Sequence, residues 1–149
     1  MEINEYKNPN ALERYSFWWS EARLVIAAVA LFLGGTSPVW FITPPIIKGV
    51  IGILLGLCWI VSGIVSVYLL YRWFNAKKML FGGKMTRDIV AFFVNIISGL
   101  NLGITGVSGN NPGMSITTNR FIFVIVGLVY LWSALYLYRR FVAHGRKLF

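Results

Sequence analysis

From Gly49 to Tyr71 no side chain carries a charge, and Lys48 and Arg72 bracket the run. A helix rises about 1.5 Å per residue, so roughly 20 apolar residues cross a ~30 Å hydrocarbon core. The run is long enough. Out of water, its backbone can satisfy its own hydrogen bonds only as a helix. Three further apolar runs fall near 24–42, 88–107 and 121–138. The expected fold is an all-α integral membrane protein of four transmembrane helices, arranged as two hairpins. A single membrane domain covers 1–149, with an interfacial amphipathic segment over 1–22 and a basic tail over 139–149. Composition agrees: 13% of residues are charged and 57% hydrophobic, where a soluble domain carries about 25% charged. That balance excludes a soluble globular domain, a disordered chain and a disulfide scaffold.

Each run has its own punctuation. Asn8-Pro9 reads as an N-cap followed by proline at the first helical position. Beyond it Leu12, Tyr15, Trp18, Trp19 and Ala22 recur at helical spacing, while Glu13 and Arg14 lie off that stripe. The segment is an interfacial amphipathic helix or the wet first turns of one long helix. Phe17, Trp18 and Trp19 suit the headgroup region as anchors. Gly34-Gly35-Thr36-Ser37-Pro38 should loosen the end of the first span. On the second span Gly52, Gly56 and Gly63 offer a small-residue packing face, as do Gly99 and Gly103 on the third. Thr86 can cap the third span, with Asp88 in its first turn. The Glu-containing N-terminus, with no apolar core before the first span, does not read as a signal peptide.

Charge sets the expected orientation. Twelve of the 14 Lys and Arg residues fall on one side, and only Lys48 and Arg120 fall on the other. Both termini and the middle loop should therefore face the cytoplasm, most simply at the cytoplasmic (plasma) membrane. Arg72, Lys77, Lys78, Lys84, Arg87, Arg139 and Arg140 would meet anionic lipid headgroups there. A net charge of +9 is explained by that membrane surface, so nucleic acid is not an expected partner.

The two halves of the chain look alike. Arg23, Ala27 and Gly35 match Arg87, Ala91 and Gly99 at one offset, and Tyr71-Arg72-x-Phe74 matches Tyr138-Arg139-x-Phe141 at another. A parallel internal repeat is one account, and chance likeness of two apolar hairpins is the other.

No ionisable residue lies in the middle of an expected span, which argues against proton relays and ion-coupled transport. His144 is the only histidine and lies in the tail, and Cys58, the only cysteine, reads as a small buried hydrophobe. No phosphate loop, nucleophile elbow or paired carboxylates appear. The chain is therefore not expected to be an enzyme, and no cofactor or metal is expected. The one positive feature is a polar face on the third span: Asn95, Ser98, Asn101 and Thr105 recur at three- and four-residue steps. It can act as interhelical glue or contact a ligand. Two functions follow as expectations. The first is a non-catalytic accessory subunit of a larger membrane complex, such as an oxidoreductase assembly, packed against other subunits and lipid. The second is a small homo-oligomeric channel or carrier lined by the third span.

Overall fold

The computed structural model describes residues 9–149. It is all-helical, with 78% helix and no strand among those residues. Four long helices dominate: α1 (Pro9–Phe32), α3 (Lys48–Asn75), α4 (Thr86–Ser108) and α6 (Arg120–Ala143). Two short helices, α2 (Val39–Ile42) and α5 (Pro112–Ile116), sit in the connections, and a 3-10 turn over Pro45–Ile47 leads into α3. Three segments are long and apolar enough to cross a membrane: Pro45–Asn75, Thr86–Ser108 and Arg120–Ala143. The cap expected at Asn8 lies outside the described residues.

The region expected as the first span, 24–42, is not one helix. α1 ends at Phe32, where Gly34 and Gly35 take the left-handed conformation at φ 80° and 89°. Gly34 N–H donates to Leu31 O at 3.0 Å and Gly35 N–H to Ala30 O at 2.8 Å. These are the paired closing bonds of a glycine-terminated helix. α1 extends instead toward the N-terminus, so the segment expected as interfacial and the start of the span form one helix. Thr86 does not cap α4 either: it is the first helical residue, and Met85 precedes it with no side-chain cap bond. Asn119 does cap α6, accepting from Phe121 N–H at 2.9 Å.

The four long helices pack side by side, with the α3/α4 and α1/α6 pairs in most intimate contact. At one end the start of α1, the α3–α4 loop and the C-terminal tail converge. Arg72 Nη2 lies 2.9 Å from Glu13 Oε2, and Arg140 Nη2 lies 2.9 Å from Asp88 Oδ2. The same end holds the aromatic core: Phe17 stacks on Phe141 at 4.2 Å between ring centroids, and Trp73, Phe81, Phe92 and Leu137 join them. Phe17, expected with Trp18 and Trp19 at the headgroups, is thus a core residue. Its ring packs on α6, while Trp18 and Trp19 are partly exposed, Trp18 against Tyr138 and Trp19 against Ser62.

Further along, α3 and α4 touch backbone to backbone. A methyl placed on Gly63 would sit 2.7 Å from Gly103 Cα, so these two positions admit no side chain without parting the helices. The other end is closed by loops. Asn101 Oδ1 accepts from Gly113 N–H at 2.8 Å, and Met114 packs against Gly35. The offset that pairs Gly35 with Gly99 equates a turn with the middle of α4.

Candidate functional site

The site begins with the direction α1 turns its polar residues. Glu13, Ser16, Phe17, Ser20, Glu21, Arg23, Leu24 and Ala28 are buried. Most of them follow helical three- and four-residue steps. The apolar stripe Leu12, Tyr15, Trp18 and Trp19 faces out of the chain. This is the arrangement hydrocarbon favours, since lipid solvates Leu and Trp but leaves serines and carboxylates without partners.

Arg23 enters the bundle and lies against α4. Its guanidinium donates through Nη1 to Ser98 Oγ at 3.1 Å and through Nη2 to Asn95 O at 2.9 Å, and Nη2 also bonds Asn95 Oδ1. Asn95 uses its other half for the acid two residues back: Nδ2 donates to Glu21 Oε1 at 2.9 Å. One amide thus divides its acceptor and donor between a guanidinium and a carboxyl. Gly99 makes the room, since a methyl there would meet Ser66 Oγ at 1.9 Å and Arg23 Cζ at 3.0 Å. Trp19 Nε1 donates to Ser62 Oγ at 3.1 Å. Arg23 Nε, Ser20 Oγ and Ser133 Oγ are buried with no hydrogen-bond partner among the described residues.

No ionisable residue is expected in the middle of a span, and α3, α4 and α6 have none there, but α1 brings Glu21 and Arg23 against the middle of α4. Asn95 lies seven residues beyond Asp88 along α4, about 10 Å inward from the ion-pair end, and Glu21 and Arg23 are at its level. Sequence position alone put them before the apolar run. The available signal was the Glu13/Ser16/Ser20 spacing, a polar stripe opposite an apolar one.

The expected polar face of α4 divides. Asn95 and Ser98 bind Arg23. Asn101 Nδ2 donates to Asn111 Oδ1 at 3.0 Å in the α4–α5 connection, and Thr105 Oγ1 donates back to Asn101 O at 2.8 Å. Of the basic residues, Arg72 and Arg140 are held by Glu13 and Asp88. Lys77, Lys78, Lys84, Arg87 and Arg139 are exposed. Asp88 is fully buried and also accepts from Tyr136 Oη at 2.7 Å, a role its first-turn position did not reveal. Gly63, Gly99 and Gly103 meet neighbouring helices, and Gly52 meets only the edge of the Trp40 ring. Gly56 faces open space. Cys58 is exposed on α3 rather than buried, because α3 turns that flank outward. Among the described residues no three His, Cys, Asp or Glu come together as metal ligands.

Beside the polar cluster, α1 and α6 leave a shallow groove of about 250 Å³. Glu21 forms part of its wall, with Trp18, Tyr138 and apolar side chains around it. The chain matches no known family model, no curated protein and no solved structure.

Proposed function

We propose that this chain is a multi-pass, non-catalytic subunit that packs into a larger membrane complex. The observation that carries the reading is the outer flank of α3. Ile53, Leu57, Ile64 and Val67 are exposed along it, and a side chain added at Gly49 or Gly56 would meet nothing. Small residues with open space above them are seats for the backbone of another transmembrane helix. The polar seam of α4 supports the same reading, because Asn95 and Ser98 are consumed within the chain rather than turned toward a water-filled axis.

In this reading the chain crosses the membrane four times. α1 passes as the fourth element, its buried charges compensated by Asn95 and by each other. The basic end, with both termini, lies in the cytoplasm of a plasma-membrane-bounded cell. There the exposed Lys77, Lys78, Lys84, Arg87 and Arg139 hold anionic headgroups, at about 1 kcal/mol for each basic residue near the surface. A duplication of the two hairpins is supported by their shared order of long, short and long helix.

The test is the mass of the particle extracted in mild detergent. The wild-type chain should travel with larger subunits. The double variant Gly49→Leu, Gly56→Leu should keep its helical content and elute as the free 16.8 kDa chain. A wild-type particle made only of copies of this chain would overturn the proposal.

A further inference from the structure

We infer that the groove between α1 and α6 seats one acyl chain of an anionic phospholipid, whose phosphate is held at the mouth of the groove by Arg14 and Arg139. The inference deepens the reading above, since it rests on the basic end of the bundle meeting a lipid surface.

The groove is shaped for a hydrocarbon chain. Ala22 and Val25 of α1 face Ala134 and Leu135 of α6 across it. Ala134 is buried, while Val25 and Leu135 are exposed. Glu21 borders the groove, but its carboxyl is engaged by Asn95. The volume is about 250 Å³, which is too small for a helix about 10 Å across and enough for part of one acyl chain. The Trp18 and Tyr138 rings, 5.7 Å apart between centroids, close the end nearer the ion pairs. Indole and phenol rings favour the headgroup boundary, so a headgroup belongs just beyond them.

Helical spacing places two cations at that point. Arg14 is four residues before Trp18, and Arg139 is four residues after Leu135. Each therefore lies one turn past the groove on the face that lines it. Both are exposed, and the Arg14 guanidinium stands 5.5 Å from the centre of the Tyr15 ring. The ion pairs among the described residues engage Arg72 and Arg140 instead. Glu13, Glu21 and Asp88, the acids among those residues, are all buried. The exposed side-chain charge around the mouth is thus positive. Guanidinium groups bind phosphate through charge-assisted hydrogen bonds, and a headgroup with no cation of its own gains most from two of them.

The probe is dioleoylphosphatidylglycerol, titrated against dioleoylphosphatidylcholine into the purified full-length chain in non-ionic detergent and counted by native mass spectrometry. One phosphatidylglycerol should be held about tenfold or more tightly than phosphatidylcholine. The double variant Arg14→Gln, Arg139→Gln changes only exposed positions and should lose that preference while still binding phosphatidylcholine. Ala22→Trp fills the groove from an exposed position and should weaken both lipids about tenfold or more. The triple variant Lys77→Gln, Lys78→Gln, Lys84→Gln removes charge from the α3–α4 loop and should keep the preference. If Ala22→Trp does not fold, the arginine and lysine variants decide. A preference that survives the loss of both arginines, or that the lysine variant abolishes equally, overturns the inference. So does lipid binding unchanged in a folded Ala22→Trp, or release of another subunit by that variant from the extracted particle, which would make the groove a seat for protein. The titration uses the chain alone, so its result stands whether or not larger subunits travel with the wild type.

Discussion

Asn95 joins a buried guanidinium and a buried carboxyl inside the bundle. Its Oδ1 and main-chain oxygen accept from Arg23, and its Nδ2 donates to Glu21. Leucine has the same branching but is larger and carries neither the amide oxygen nor the amide N–H. Asn95→Leu would leave the carboxyl without its donor and the guanidinium with fewer acceptors in a dry interior, where stranding a buried charge is heavily penalised. The expected loss is about 3 kcal/mol, read as the unfolding free energy in bicelles. Asn101→Ala is the control. Asn101 serves the α4–α5 connection near the surface, and its loss should cost about 1 kcal/mol. The sequence marked both residues as polar points on one helical face. It did not distinguish them, because their difference lies in what α1 brings opposite one and a loop brings opposite the other.

At the scale of the helix, α1 shows why an apolar stripe is an ambiguous signal. In water such a stripe marks the buried face, and in lipid it marks the outer one. Leu12, Tyr15, Trp18 and Trp19 are legible in the sequence, but the solvent decides which side they take. The structure buries Ser16, Ser20, Glu13 and Glu21 instead. The glycines of α3 and α4 divide for a similar reason. Their spacing announces a close approach somewhere, but only the crossing point selects Gly63 and Gly103. Gly103→Ala would place a methyl 2.6 Å from Gly63 Cα. The expected cost is about 1–3 kcal/mol, seen as a lower midpoint in denaturant. Gly56→Ala, whose methyl would meet nothing, should stay within about 0.5 kcal/mol of wild type in the same measurement.

At the scale of the whole molecule, the C-terminal tail ties the basic end together. Leu148 is fully buried, its carbonyl accepts from Phe81 N–H at 2.8 Å, and Glu13 Oε1 accepts from the N–H groups of Leu148 and Phe149 at 3.2 and 3.1 Å. One carboxylate thus joins the first helix, Arg72 of α3 and the end of the chain. Leu148→Ala should cost about 2–4 kcal/mol and should let trypsin cut at Arg146 and Lys147 faster than in wild type. From the sequence alone, 139–149 reads as a solvated basic tail, since four of its residues are charged and nothing local shows where Leu148 goes. Residue composition and spacing already dictate an apolar surrounding and a broad helical architecture. Long uncharged runs can satisfy their backbones in lipid only as helices, and Gly34-Gly35 marks a weak point near the end of the first run. Which polar groups meet follows from the packing of the helices. Glu21 with Asn95, Asn95 with Arg23, Asp88 with Arg140 and Glu13 with the tail are contacts between residues far apart in the chain. Their burial is tolerable only because each partner arrives, and arrival depends on how the helices cross.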